Sequence, residues 1–212
     1  MENNKDIGKV ARTLQGTESR VILFFDTETT GLPRSWNAPQ SDLNNWPRIV
    51  QIAWVSCDLD GKEISRSSFI VRPEGFLIPR EASLIHGITT ERAAQEGTSL
   101  IGVLALFGQA IDQAECIVAH NISFDEMVAG AEFLRNNMPN NIPLKRRICT
   151  KEISTNFCAI PSANGFNGYK WPKLSELHTK LFGTEFKDSH SALNDADATA
   201  RCFWEMRRRG II

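Results

Sequence analysis

The sequence predicts an α/β fold built on a mixed sheet, and three observations carry that prediction. Residues 21–25 are a continuous apolar run, β-branched and aromatic, that leads into Asp26-Thr27-Glu28 and is closed by Gly31 and Pro33, the pattern of a buried strand. Two further strand-like runs, 49–57 and 63–72, are joined through Asp60-Gly61, a good hairpin signal. Beyond them, apolar stripes of helical period alternate with short apolar runs, which suits helices laid on a sheet that is partly parallel.

The elements follow in order. Residues 1–19 are polar and weakly periodic, a flexible or short helical arm, and 20–212 form a single domain. Residues 33–47 make a loop carrying Arg34, Trp36 and Trp46, and a loop of that length in a compact domain is functional or mobile. A short helix at 79–87 ends on glycine. A longer one at 98–114 sets Leu100, Val103, Leu104, Phe107 and Ile111 on one face. The apolar run 116–119 leads into His120-Asn121. Phe124, Met127, Val128, Ala131 and Leu134 mark the next helix, with Ser123 and Glu126 matching a capping box. Residues 136–172 are rich in Asn, Pro and Gly, apart from a short strand at 147–150 and a helical turn after it. Helices at 174–182 and 191–209 complete the chain, the last closing on three arginines and Gly210, which suit a helix C-terminus.

With 212 residues, 42% hydrophobic and 23% charged, the chain has the composition of a soluble protein with a substantial core. Lys+Arg 24 against Asp+Glu 25 gives a net charge of −1, so no global charge advertises a polyanion partner. Local patches and bound metal ions can do that electrostatic work instead. The five cysteines are scattered and form no Cys-x-x-Cys pair, which excludes a disulfide framework or zinc knuckle and reads as reduced thiols. The N-terminus lacks the apolar core of a signal peptide, and the longest uncharged run, 98–111, is too short to span a bilayer. A cytoplasmic location without membrane association is expected.

The chemistry starts at the first strand. Side chains alternate along a strand, so Asp26 and Glu28 share one face and Thr27 takes the other. Two like charges at the end of a core strand are unfavourable unless a cation joins them, and a divalent metal is the simplest candidate. The plain alternative is a strand that has already ended, with both acids in solvent. Asp125 falls in the first turn of a helix, where the dipole alone accounts for a carboxylate. Asp195 lies on or beside the inward stripe of the last helix (Ala192, Ala196, Thr199, Phe203, Met206), where an acid should be paired or metal-bound. His190 is near enough in the chain to share that site, although a cap or surface role is the plainer reading.

Asp26-Thr27-Glu28, the Asn121…Phe124-Asp125 segment, and His190 followed by Asp195 resemble the motifs of the DEDDh 3′→5′ exonucleases. This DnaQ-like family includes the proofreading epsilon subunit of bacterial DNA polymerase III and ribonuclease T. Ile85-His86-Gly87-Ile88-Thr89 resembles the family's nucleotide-contact segment. The resemblance implies a ribonuclease-H-like fold, a five-stranded mixed β-sheet flanked by α-helices. It also implies hydrolysis of phosphodiester bonds at the 3′ end of single-stranded DNA or RNA, releasing nucleoside 5′-monophosphates with two divalent ions, Mg²⁺ or Mn²⁺. Such hard ions demand oxygen ligands, which fits four carboxylates. By resemblance Asp26, Glu28, Asp125 and Asp195 are catalytic and hold the metals, with Asp26 bridging them. His190 is the general base, an imidazole having an ordinary pKa of about 6.5.

Also by resemblance, Thr29, His86, Asn121 and Phe124 lie near the terminal nucleotide, with a core role for Phe124 equally open. His120 reads as structural and His178 as an ordinary helix residue. The expected partner is a single-stranded nucleic acid 3′ end. The chain stops at Ile212, without the long C-terminal extension that the polymerase-bound subunit uses, which argues against a stable polymerase partner. Two alternatives compete: a haloacid-dehalogenase-type phosphatase, in which Asp26 would be a covalent nucleophile, and a non-catalytic nucleic-acid-binding module. Trp36, Trp46 and Trp171 could stack bases or pack their loops onto the core. Lys145-Arg146-Arg147 could bind phosphate or form a solvated face.

Overall fold

The computed structural model describes residues 20–162, 168–184, 186 and 190–212. The expectation of an N-terminal arm at 1–19 lies outside the described residues. Five strands form one sheet in the order β3-β2-β1-β4-β5. Strand β1 (Val21–Thr29) is central, antiparallel to β2 (Ile49–Cys57) and parallel to β4 (Ala114–Ala119). Strand β3 (Glu63–Ile70) is antiparallel to β2, and β5 (Arg146–Cys149) runs parallel to β4. The hairpin between β2 and β3 turns at Asp60-Gly61, where Gly61 takes φ 87° and Asp58 Oδ1 accepts from the backbone N–H of both Asp60 and Lys62.

Helices cover both faces. Between β3 and β4 come α1 (Arg80–His86), α2 (Thr90–Glu96) and α3 (Leu100–Gln113). Helix α4 (Ile122–Arg135) joins β4 to a 3₁₀ turn at Ile142–Leu144 and then β5. The short helices α5 (Thr150–Ile153) and α6 (Thr155–Cys158) are followed by α7 (Leu174–Phe182) and α8 (Ala192–Arg208). Alternation along β1 separates two cores. Leu23 and Phe25 pack with Leu104, Phe107, Ile111 and Phe133 of α3 and α4, whereas Ile22 and Phe24 pack with Ala200 and Phe203 of α8. Burying these aromatic and branched side chains stabilises each layer by roughly 1.5–3 kcal/mol per residue. Among the described residues no helix is long and apolar enough to cross a membrane.

The five-stranded mixed sheet matches the expected ribonuclease-H-like fold, with one helix not foreseen and one local expectation corrected. Helix α2 carries no apolar stripe, only Ala93 being buried, so periodicity could not signal it; the Thr89 hydroxyl caps it by accepting from the Arg92 N–H at 3.2 Å. The capping box at Ser123 and Glu126 does not form. Helix α4 begins two residues earlier, capped at Asn121 in the left-handed region (φ 83°), while Ser123 Oγ meets Asn121 Oδ1 and Glu126 pairs with Arg147. The last helix starts at Ala192, and Ala192, Ala196, Thr199, Phe203 and Met206 are all buried as its inward stripe.

Residues 30–48 form a loop fastened from beneath. Glu132 of α4, fully buried, accepts from Arg48 Nε at 2.8 Å and from the Ile49 N–H at 3.1 Å, and it lies 3.2 Å from the Arg135 guanidinium. Arg135 donates to the carbonyls of Leu43 and Trp46. Trp46 is buried and donates from Nε1 to the Pro39 carbonyl at 3.0 Å, so it packs the loop and is not available to a base. All five cysteines are buried free thiols.

Candidate active site

The site forms where the sheet hands Asp26 and Glu28 to the α8 side. Asp26 and Glu28 are only half-buried, while Thr27 and Thr29 between and beyond them are buried against the opposite layer, the alternation that an unbroken strand imposes. Helix α8 crosses that face and brings Asp195 in. One carboxylate oxygen from each of Asp26, Glu28 and Asp195 lies within 4.8 Å of the others, close enough to hold a metal ion. Asp125 comes from α4, on the other side of the sheet. Its Oδ1 accepts from the Thr27 N–H at 3.0 Å and the Thr27 hydroxyl at 2.7 Å, which anchors a buried carboxylate at the strand end beside Asp26.

The electrostatics agree with a cation site. Burial pushes the Asp26 carboxyl well above the usual range, and repulsion from Asp125, Asp195 and Glu28 pushes the same way. Glu28 is pushed up to about 7, mainly by burial and then by Asp195 and Asp125. Asp125 is pushed up to about 7 by burial, against its two bonds from Thr27. Asp195 is raised by burial, opposed by the backbone and charge of His190. Four carboxylates that hinder one another's ionisation in a recess of oxygen donors suit hard divalent cations.

His190 closes the site. Its backbone N–H donates to Asp195 Oδ2 at 3.0 Å, so the five-residue spacing folds the chain back onto the carboxylate. Its backbone sits at φ 77°, a left-handed conformation rare for a side chain with a Cβ. The exposed imidazole lines a cavity of about 420 Å³ together with Asp26, Asp195, His120, Lys173, Leu174, Ser175 and Phe186.

The expected nucleotide-contact residues divide. Thr29 Oγ1 donates to the Gly31 carbonyl at 2.7 Å, and Asn121 Oδ1 accepts from Lys151 Nζ. Phe124 is half-buried against the core and meets the Trp36 ring at 5.8 Å. His86 is buried at the end of α1. Its Nδ1 accepts from the Ile88 N–H at 3.1 Å; burial holds its pKa below the ordinary value, against a backbone contact with Thr29 that raises it.

His120 is structural, as expected. Burial lowers its pKa to about 4, so the neutral ring donates from Nε2 to the Pro172 carbonyl and accepts at Nδ1 from the Thr150 hydroxyl, both at 3.0 Å. His178 is buried between Phe182 and Phe186. In the basic cluster, Arg147 pairs with Glu126 and Lys145 donates to the Asp112 carbonyl, which is the behaviour of a solvated face.

Two residues at the site escaped the sequence reading. Lys173 lines the cavity, but a lone lysine in a loop carries no signal. Gln51 did carry one, as a polar residue inside the apolar run of β2. It stands opposite Glu28 in the β1–β2 register, and its Oε1 accepts from the Ala192 N–H at 3.1 Å. It thereby satisfies an otherwise orphaned N–H at the start of α8, where the Ser191 side chain makes no cap.

Comparison with known proteins agrees with this geometry. Residues 23–203 match the Exonuclease family (RNase T). The chain is 31% identical over 180 residues to the PolC-type DNA polymerase III of Streptococcus pyogenes serotype M18, covering 84% of this chain and 10% of that protein. In fold it is similar to E. coli exonuclease I in complex with a dA16 oligonucleotide (TM-score 0.71, 23% identity, 90% of this chain and 41% of that one). It is also similar to a moderately thermophilic exonuclease I from Methylocaldum szegediense (TM-score 0.70, 23% identity, again 90% and 41%). The chain thus spans a tenth of the polymerase and less than half of the exonucleases. The phosphatase alternative falls with the family match. With its ribonuclease-H-like sheet and its Asp26, Glu28, Asp125, His190 and Asp195 drawn to one strand end, the chain belongs to the DEDDh 3′→5′ exonuclease family.

Proposed function

We propose that this protein is a metal-dependent 3′→5′ exonuclease that removes nucleoside 5′-monophosphates from single-stranded DNA or RNA. The observation that carries the reading is the convergence of Asp26, Glu28 and Asp195 within 4.8 Å, on a chain that matches the Exonuclease family. Asp26, Glu28, Asp125 and Asp195 would hold two ions, Mg²⁺ or Mn²⁺, which when bound activate the attacking water and neutralise charge on the leaving oxygen. His190 accepts the proton of that water at an imidazole nitrogen, from an exposed position at the cavity rim that lets it pass the proton on to solvent. Lys173 faces the same cavity and offers its ammonium to the substrate phosphate. The Thr27 clamp on Asp125 and the His190 N–H on Asp195 hold two of the carboxylates in place before any ion arrives.

The test is hydrolysis of 3′-labelled single-stranded DNA and RNA oligomers in Mg²⁺, in Mn²⁺ and in chelator. Release of the label as a mononucleotide with either ion, and none in chelator, is expected. Release that persists in chelator, or label released only on longer oligonucleotides, would overturn the reading.

A further inference from the structure

Of the tryptophans, Trp46 and Trp54 are buried, whereas Trp36 and Trp171 stand 57% and 62% exposed. Both exposed indoles abut the same turn, the Asn121–Phe124 start of α4 that positions Asp125. Trp36 reaches it through Phe124, ring to ring at 5.8 Å. Trp171 reaches it through Lys151, whose Nζ lies 4.2 Å over the indole and also donates to Asn121 Oδ1. The chain then runs from Trp171 through Pro172, pinned by His120, to Lys173 on the catalytic cavity. Two residues of extended chain span about 7 Å at most, so the Trp171 backbone stands within about one nucleotide's length of Lys173 at that cavity.

We propose that Trp171, Lys151 and Trp36 form a stacking platform for the unpaired bases on the 5′ side of the scissile 3′-terminal nucleotide of a single strand. The platform rests on the exonuclease reading above and names how the strand is held there. A solvent-facing indole offers its ring to any base, and the ammonium of Lys151 keeps a third donor for the backbone phosphate. Lys173 adds a second positive charge between the platform and the carboxylates. Unpaired bases are the fitting ligand because a base inside a duplex already has both faces stacked. Loop packing alone does not explain these positions: the same loop that leaves Trp36 in solvent has buried Trp46 and satisfied its N–H.

Two measurements on the full chain test the proposal. In the first, binding of short fluorescent oligo(dT) and oligo(U) is followed by anisotropy in chelator-free, Ca²⁺-containing buffer. Trp171→Ala and Trp36→Ala should each weaken binding at least about fivefold, the lower end for loss of one base–aromatic stack. Trp171→Phe should restore most of it. In the second, KM for oligonucleotide hydrolysis should rise in the same variants. Hydrolysis of thymidine 5′-monophosphate p-nitrophenyl ester, which has no base on its 5′ side, should stay unchanged. Unchanged oligonucleotide affinity in both alanine variants would overturn the platform, as would an equal loss on the ester. A wild-type chain that binds oligomers through these residues but cleaves neither substrate would overturn the exonuclease reading and leave the platform standing. Loss restricted to oligo(dT) or to oligo(U) would support the platform and identify the nucleic acid it serves.

Discussion

Replacing Glu28 by glutamine should stabilise the metal-free protein, the reverse of the usual result of altering an active-site residue. In the unfolded chain Glu28 titrates near 4.5, and in the folded site it is pushed up to about 7 by burial and by Asp195 and Asp125. Between those values the folded state holds a proton that the unfolded state has released, so stability falls as pH rises through that window and stays low above it. The interval of about 2.5 pH units, at about 1.4 kcal/mol each, makes the ionised carboxylate cost roughly 3 kcal/mol at pH 8 and about 1 kcal/mol at pH 5. Glutamine keeps the shape and cannot ionise. For a chain of this size 1 kcal/mol moves Tm by about 2–4 °C, so Glu28→Gln should melt roughly 6–12 °C above wild type at pH 8 in chelator. The gain at pH 5 should be roughly a third of that. Saturating Mn²⁺ should close most of this gap, because an ion at 100 times its Kd stabilises the wild-type site by about 2.7 kcal/mol and the variant lacks a ligand. Differential scanning fluorimetry at the two pH values, with and without Mn²⁺, reads all of this. An unchanged or lower Tm for the variant in chelator at pH 8, or the same gain at both pH values, would refute the electrostatic account of the site.

Other outcomes follow from the same geometry. Asp26→Ala and His190→Ala should each lower kcat on a labelled oligomer by at least about a hundredfold while melting as folded proteins, the range expected for a missing general base; near-wild-type kcat in either would refute the assigned roles. Gln51→Leu removes the acceptor at the start of α8 and should cost about 1 kcal/mol, seen as a Tm lower by a few degrees, together with weaker Mn²⁺ binding by calorimetry and an unchanged oligonucleotide KM. Glu132→Ala strands Arg48 and Arg135 and should cost about 3–5 kcal/mol, whereas Glu132→Gln, which keeps the acceptor for the Ile49 N–H, should cost less; equal melting of the two variants would show that the charge pair does not fasten the loop.

Much of this site can be read from local chain chemistry. Alternation along one strand is enough to put Asp26 and Glu28 on a single face, because the peptide pleat admits no other arrangement while the strand persists. The stripe of Ala192, Ala196, Thr199, Phe203 and Met206 likewise assigns the inward face of α8 and places Asp195 on its edge. The same period rules do not reach α2, which buries a single alanine, nor the start of α4. There the left-handed Asn121 and its tie to Lys151 displaced a capping box that Ser123 and Glu126 were equipped to form.

What the strand pattern leaves open is which layer each remaining acid comes from. Asp125 is separated from Thr27 by 98 residues and arrives from the helices packed on the opposite side of the sheet, so its Oδ1 grips the backbone between the two acids. Gln51 capping α8, and Lys151 spanning Asn121 and Trp171, are contacts of the same kind. Sequence period acts over one or two turns of chain. These contacts exist only after the sheet order β3-β2-β1-β4-β5 has brought distant segments to one strand end, where packing of whole layers selects the partners.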